Sequence, residues 1–156
     1  MGKILKVGGI GLAVLLIAIQ FYRPERSNPV VDPAGDITAQ VPVPPAVRTI
    51  LERSCFDCHS NRTRWPWYSN VAPASWLVAH DVTEGRERLN FSEWGSYKQG
   101  KRVSRLDMMI SEVDKGEMPL KNYLLMHGEA DLAEADKDIL CTWAEQLSDS
   151  LRAAGK

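Results

Sequence analysis

A length of 156 residues fits a single domain, and a hydrophobic content of 44% is sufficient for a packed core. The formal net charge of −1 gives no indication of nucleic-acid binding. There are only three cysteines, and two of them fall in one short motif, so the composition excludes a disulfide-stabilised scaffold.

Residues 1–22 are predicted to be a membrane anchor or a signal segment. Two lysines precede an uncharged apolar run, and residues 4–22 approach the length of a membrane-spanning helix. The run ends at Gln20-Phe21-Tyr22-Arg23. These four residues lack the small side chains of a cleavage site, and the two aromatic residues suit a membrane interface. We therefore favour an uncleaved anchor that contacts the membrane through residues 4–22, with a cleaved signal as the alternative.

Residues 23–43 are predicted to be a proline-rich tether. Prolines recur through this stretch and continue to Pro45, which disfavours a helix and favours an extended chain. From Pro45 the apolar spacing becomes helical, so residues 44–150 are assigned to the folded domain.

The pentapeptide Cys55-Phe56-Asp57-Cys58-His59 is typical of c-type haem attachment. The two thiols add to the two vinyl groups of one porphyrin, and the adjacent histidine supplies the proximal iron ligand. We therefore predict one covalent haem c, held by Cys55, Cys58 and His59. A zinc site is the alternative, but the remaining histidines and cysteine follow no zinc-finger spacing. Since bacteria attach haem c outside the cytoplasmic membrane, the domain is expected in the periplasm, at the inner membrane.

An aromatic loop follows the motif and contains Trp65, Trp67 and Tyr68. These side chains either fill the core, as large aromatics commonly do, or cover a haem edge. In the second case their polar atoms, together with Arg62 or Arg64, would reach the haem propionates.

Further helices are predicted over residues 75–89, 103–115 and 131–147. For the second of these, Ser104 with Asp107 resembles a capping arrangement, and Gly116 is a natural stop. For the last, Asp131 and Glu134 form a potential capping box. Cys141 lies off the apolar stripe of this helix and is predicted to face solvent.

The sixth iron ligand is predicted to be Met118. This residue follows the stop at Gly116 and precedes Pro119, which restricts the backbone on both sides of the peptide bond. A methionine held on a constrained loop suits iron, and Met/His ligation recurs in c-type cytochromes. Two alternatives stay open: Met118 fills a gap in the core, or His127 is the ligand.

In its ordered series of motifs, the chain resembles the haem-binding domain family of bacterial c-type cytochromes. The resemblance runs from about residue 43 to residue 147. It is carried by Cys55-Phe56-Asp57-Cys58-His59-Ser60-Asn61, Trp65-Pro66-Trp67-Tyr68-Ser69, Val71-Ala72-Pro73, Ser75-Trp76-Leu77, Gly85-Arg86, Leu89-Asn90-Phe91-Ser92-Glu93-Trp94, Met118-Pro119-Leu120, Tyr123, His127 and Trp143.

The resemblance implies an all-α, cytochrome c-like helical domain around one covalent haem, here preceded by an N-terminal membrane helix. It also implies that the first and last helices of the domain cross. One departure is Ala133, where a capping Ser or Thr is expected before the last helix.

The expected function is electron transfer with redox partner proteins in the periplasm or the membrane. No catalytic residues are predicted beside the haem. The alternatives are a haem enzyme subunit, such as a peroxidase, and a haem-based gas or redox sensor. Residues 46–106 carry a net positive charge and residues 107–138 a net negative charge, a distribution that could orient a partner if the segments lie on different faces.

Overall fold

The computed structural model describes residues 2–155, and this part of the chain is helical, without a strand. The α-helices are α1 (Gly2–Ala18), α2 (Ile37–Gln40), α3 (Pro45–Ser54), α4 (Phe56–His59), α5 (Ala74–Arg88), α6 (Gln99–Asp114), α7 (Lys121–Leu124) and α8 (Glu134–Ala154). The same residues also form 3₁₀ segments at Ile19–Phe21, Trp67–Asn70, Phe91–Ser96 and Gly128–Ala130. The predicted all-α class is confirmed.

The first and last helices of the domain pack against each other. Helix α3 begins at Pro45, whose fixed φ suits a first helical turn, and it buries Val47, Ile50 and Leu51. The indole Nε1 of Trp143 on α8 donates to the carbonyl oxygen of Pro42 at 3.2 Å. Arg53 of α3 pairs with Asp136 of α8 at 2.8 Å. These contacts fix the helix that leads directly into the Cys-x-x-Cys-His motif.

Helix α6 begins four residues earlier than predicted. It starts at Gln99, so Ser104 lies inside the helix and the cap predicted from Ser104 and Asp107 is wrong. The N-cap position is Lys98, which makes no side-chain capping hydrogen bond. The end agrees with the prediction, since Gly116 has a φ of 67°, a conformation that glycine adopts without a Cβ clash.

Helix α8 corrects two predictions. The capping box from Asp131 and Glu134 is wrong, because the N-cap is Ala133 and makes no side-chain bond. Cys141 is buried in the core, with 9% of its surface exposed, and does not face solvent. The physical reason is that α8 packs against both α3 and α6, so its buried face is wider than one apolar stripe.

The segment predicted to be a tether follows the surface of the helical domain. Ile37 is fully buried, and Asp36 accepts from the backbone N–H of Thr38 at the start of α2. The Asp36 carboxylate also pairs with Arg62. The amide of Gly95 donates to the carbonyl of Gly35 at 2.7 Å. The chain is therefore anchored to the domain at this point.

Helix α1 and the 3₁₀ segment after it are exposed along nearly their whole length. Residues Gly2–Phe21 are long and apolar enough to cross a membrane, with a mean hydropathy of 2.2, a test that an N-terminal signal sequence also passes. The end of this segment contacts the domain through Gln20. Its side-chain amide donates to the carbonyl of Ala72 at 3.1 Å and accepts from the Ala72 N–H at 2.9 Å.

Candidate functional site

A single helical turn presents both cysteines and the histidine of the motif. Helix α4 spans Phe56–His59, and the N–H of His59 donates to the carbonyl of Cys55 at 2.9 Å. Both thiols are free, and both lie at the wall of a cleft. Burial raises the pKa of Cys55 to about 12, and burial with the nearby Asp81 carboxylate raises that of Cys58 to about 12. The thiols are therefore protonated at neutral pH when no bond is formed to them.

The imidazole of His59 is oriented by two backbone carbonyls. Its Nδ1 lies 2.9 Å from the oxygen of Gly85 and 3.0 Å from that of Leu89. A nitrogen that faces two acceptors must carry the proton, which leaves the lone pair on Nε2. Burial lowers the pKa of His59, which favours the neutral ring that an iron centre binds. The edge of Phe91 packs against this ring, with the centroids 6.5 Å apart.

Close packing of α5 on α4 depends on Gly85. A Cβ at this position would lie 2.6 Å from the carbonyl oxygen of Cys58. Glycine lets the two helices approach closely enough for the Gly85 carbonyl to reach His59. The sequence contains a signal for this contact, a glycine inside a helical pattern, but it gives no indication of what the glycine touches.

The cleft consists of two adjoining cavities of about 510 Å³ and 380 Å³. Cys58 borders the larger cavity and Cys55 the smaller one. His59 and Met118 border both. The predicted proximal and distal ligands are thus brought to the same shared boundary, although they are 59 positions apart in the sequence.

Met118 is held by the loop that follows α6. Its backbone N–H donates to the carbonyl of Glu112 at 3.2 Å, and the N–H of Glu117 donates to the same oxygen at 3.0 Å. The side chain is partly buried and packs against the core. The loop therefore fixes the position from which the thioether enters the cleft.

Both ring nitrogens of His127 are occupied by hydrogen-bonding partners. Nε2 lies 2.8 Å from the hydroxyl of Tyr68, and Nδ1 lies 3.2 Å from a carboxylate oxygen of Glu129. The ring also stacks on Tyr123 with centroids 4.3 Å apart. His127 borders only the larger cavity, where Cys58 lies, whereas Met118 borders both cavities. His127 is therefore less directly placed between the two thiols than Met118.

Asp57, inside the motif, connects the two sides of the cleft. Its carboxylate accepts from the Tyr123 hydroxyl at 3.1 Å and pairs with Arg64 at 2.9 Å. Burial, followed by the charge of Asp57, raises the pKa of Tyr123, so the phenol remains a proton donor at neutral pH. The sequence pattern assigned no role to Asp57, because the two positions between the cysteines vary freely in the motif.

The three predicted aromatic residues are placed differently. Trp67 and Tyr68 line the larger cavity, and Trp67 is 72% exposed. Trp65 lines neither cavity, but its Nε1 is buried without a hydrogen-bond partner among the described residues. A buried N–H of this kind normally has an acceptor.

Two arginines at the cleft were missed by the sequence reasoning. Arg88 borders both cavities, and Arg105 borders the smaller one. The Nε of Arg105 is buried and lacks a partner in the described part of the chain. Of the arginines that the sequence suggested, Arg62 pairs with Asp36, and Arg64 lines the larger cavity while paired with Asp57. No local signal distinguishes Arg88 and Arg105 from other helical arginines.

The residues at the cleft fit a haem. Two thiols and a correctly protonated imidazole come from one turn, and both cavities have the size of ligand sites. The buried Nε–H of Arg105, at the smaller cavity, can donate to a carboxylate of such a ligand. Among residues 2–155 there is no group of three or more His, Cys, Asp or Glu side chains placed to hold a metal ion by themselves.

Fold and site together define a helical haem-binding domain. A family model described as a haem-binding domain matches residues 14–146, and the chain belongs to this family. The match extends the sequence resemblance toward the N-terminus, through the segment docked at Asp36 and into α1. A search of curated proteins and a search of solved structures returned no match.

Proposed function

We propose that this protein is a mono-haem c-type cytochrome that transfers electrons, with His59 as the proximal and Met118 as the distal iron ligand. The observation that supports it most is the placement of both residues at the boundary of the two cavities, with Cys55 and Cys58 at the walls. A haem bound there supplies a one-electron redox centre. The protein provides attachment, axial ligands and a mostly apolar environment.

Each residue of the motif has a separate task in this proposal. Cys55 and Cys58 hold the haem through thioether bonds, so the cofactor is retained through repeated oxidation and reduction. His59 presents its Nε2 lone pair because Nδ1–H is fixed by the carbonyls of Gly85 and Leu89. A second protein ligand keeps the coordination unchanged when an electron is exchanged.

The haem carboxylates are assigned to the arginine-rich end of the cleft. Arg88 and Arg105 border the smaller cavity, and the buried Nε of Arg105 has no protein acceptor in the described residues. A guanidinium paired with a carboxylate gives a short, charge-assisted hydrogen bond. Trp67 and Tyr68, which line the larger cavity, are then edge contacts, and Trp65, which lines neither cavity, is assigned no contact with the haem.

Covalent attachment is tested by haem staining after denaturing electrophoresis of the protein made with the cytochrome c maturation system. The stain should remain with the wild-type chain and disappear in Cys55→Ala/Cys58→Ala. Cys141→Ala is the matched control and should keep the stain, because this thiol is buried away from the cleft. Loss of the stain from the wild-type chain under denaturing conditions would contradict covalent attachment.

The distal ligand is tested with two methionine variants. Met118 borders both cavities, whereas Met126 borders the larger one and is 56% exposed. Met118→Ala should abolish the sulfur-to-iron charge-transfer band of the oxidised protein and permit CO to bind the reduced protein. Met126→Ala should do neither. If the band survives in Met118→Ala, or if His127→Ala alone abolishes the native ligation, the assignment to Met118 is wrong.

A haem enzyme subunit and a gas sensor are the alternative functions, and both require an open or displaceable sixth position. Rapid CO binding by the reduced wild-type protein would favour these alternatives over electron transfer. Catalysed peroxide turnover by the wild-type protein would separate the enzyme from the sensor.

We further propose that α1 anchors the chain in the inner membrane, with the haem domain in the periplasm, where it meets its redox partners. The supporting observations are the exposed apolar segment Gly2–Phe21 and the requirement for haem attachment outside the cytoplasm. Mass spectrometry of the chain from isolated membranes is the test. A mature chain that is shorter by about twenty residues would show a cleaved signal instead.

A further inference from the structure

Three exposed apolar side chains line the larger cavity, and a fourth, Val71, directly follows the 3₁₀ segment that carries one of them. These form the apolar rim, which consists of Trp67 (72% exposed), Val71 (46%), Leu77 (48%) and Met126 (56%). Three of the four, Trp67, Leu77 and Met126, line the cavity itself. Exposed apolar side chains gathered around one opening mark an interaction surface more strongly than scattered ones.

The rim is assembled by tertiary contacts. The 3₁₀ segment Trp67–Asn70 packs against the start of α5, which carries Leu77. The hydrogen bond from Tyr68 to His127, at 2.8 Å, places the chain neighbours of these two residues, Trp67 and Met126, on the same side of the cavity.

The end of the apolar N-terminal segment is fixed directly beside this rim. Gln20 makes two hydrogen bonds with the backbone of Ala72, the residue after Val71. The indole of Trp76, the residue before Leu77, donates to the carbonyl of Tyr22 at 3.0 Å and meets the Tyr22 ring edge to face. The end of the apolar segment therefore meets the domain beside the rim.

Polarity along α5 changes with distance from this attachment point. Leu77 lies near the start of the helix, and later α5 residues that line the same cavity include the charged Asp81, Glu84 and Arg88, while Val82 between them is buried. A helix of 15 residues spans about 22 Å, so the charged end lies well away from the end of α1. An apolar and aromatic border followed by charged groups is the pattern of a surface at a lipid interface.

We infer that the apolar rim rests on the outer surface of the bilayer that holds α1, so that the mouth of the larger cavity faces the lipid. This inference depends on the proposed membrane anchor. We assign the rim to the bilayer interface because the end of the apolar segment is hydrogen-bonded next to the rim residues. Gln20 bonds to Ala72, beside Val71, and Tyr22 bonds to Trp76, beside Leu77. The haem cleft would then exchange electrons at the membrane plane, and its arginine-bearing end would point toward the periplasm.

The test uses the full-length haem-loaded chain, reconstituted in vesicles of phosphatidylcholine and phosphatidylglycerol. Single cysteines are introduced at Val71 and, as a control, at Ile139 on α8, in a Cys141→Ala background. These positions are matched in the free domain, with exposures of 46% and 42%. For each cysteine variant, the rate of modification by a charged maleimide is measured in vesicles. This rate is divided by the rate for the same variant in the denatured protein, which corrects for the intrinsic reactivity of the thiol.

The inference predicts that Val71→Cys is modified several-fold more slowly than Ile139→Cys, and that Met126→Cys is protected in the same way. In the unmodified chain, a lipid with a photoreactive acyl chain should cross-link residues 67–77 in preference to α8. Equal rates in a chain that floats with the vesicles would overturn the inference and leave the anchor standing. Failure of the chain to float would overturn the anchor itself. Protection that disappears when the protein is diluted in lipid would assign the rim to a second copy of the chain and would also overturn the inference.

Discussion

The wall of the cleft that carries His59 is made from one helical turn and the helix packed on it, whereas the wall that carries Met118 is the segment between α6 and α8, in which loops flank the short helix α7. We refer to residues 55–59 with α5 as the histidine wall, and to residues 116–130 as the methionine wall. On the histidine wall, the orientation of the His59 ring is set by backbone carbonyls at 2.9 Å and 3.0 Å. On the methionine wall, the Met118 N–H donates to the Glu112 carbonyl at 3.2 Å, but the wall is joined to the rest of the cleft by side chains from distant parts of the chain, such as Tyr68 with His127 and Tyr123 with Asp57.

The two walls therefore depend on different kinds of interaction: backbone hydrogen bonds and close helix packing on the first, and individual side-chain contacts on the second. Backbone acceptors persist through most substitutions, so the histidine wall is sensitive mainly to changes that alter how closely α4 and α5 approach. The methionine wall is sensitive to individual side chains, each worth about the free energy of one hydrogen bond. Substitutions should therefore have large effects on the first wall and smaller, more local effects on the second.

The largest effect is expected for Gly85→Ala. The new Cβ would lie 2.6 Å from the carbonyl oxygen of Cys58, and neither helix backbone can yield without moving the other. Forcing the helices apart should lower the free energy of unfolding by about 3 kcal/mol. It should also weaken the bond from His59 to the Gly85 carbonyl. Chemical denaturation of the haem-loaded protein, followed by far-UV circular dichroism, measures the change.

Gly100→Ala is the matched control for this variant. Gly100 lies in the first turn of α6, and a Cβ there would meet nothing within 4 Å. Alanine is the better helix former, so this variant should be neutral or more stable by up to about 1 kcal/mol. If both variants have the same stability, the close approach at Gly85 does not limit the histidine wall.

A smaller effect is expected for His127→Ala on the methionine wall. The change removes the partner of the Tyr68 hydroxyl and the ring stacked on Tyr123. We expect a loss of about 2 kcal/mol in unfolding free energy, from a hydrogen bond and an aromatic contact. The absorption spectrum of the oxidised protein should keep its sulfur-to-iron band, since Met118 is the assigned ligand.

His80→Ala serves as the control for histidine loss, because His80 is exposed on α5. It should change neither the stability nor the spectrum measurably. If His127→Ala shifts the spectrum while His80→Ala does not, His127 reaches the iron, and the contrast between the two walls no longer holds.

The same contrast explains which features were predictable from sequence. The predicted haem motif lies in five consecutive residues, and one turn of helix is enough to present them, so its role could be predicted without tertiary information. The Gly116 stop was also local. The contacts of Gly85, the cleft position of Arg105 and the burial of Cys141 depend on which helices pack together, and periodicity within one helix does not contain that information. The failed caps of α6 and α8 have the same origin, since tertiary packing sets these helix starts without a capping side chain.

The smallest effect is expected at one of the two side-chain hydrogen bonds that join the walls in the described residues; the other runs from the Asn122 amide to the Asp81 carboxylate at 3.0 Å. Tyr123→Phe removes the hydroxyl that donates to Asp57 at 3.1 Å and leaves the stacked ring in place. Asp57 keeps its pairing with Arg64, so the carboxylate stays partnered and the loss should be about 1 kcal/mol. A double-mutant cycle with Asp57→Ala isolates this contact, because the coupling energy between the two substitutions should match the cost of Tyr123→Phe alone. A coupling energy near zero would mean that the hydroxyl of Tyr123 contributes nothing to closing the cleft.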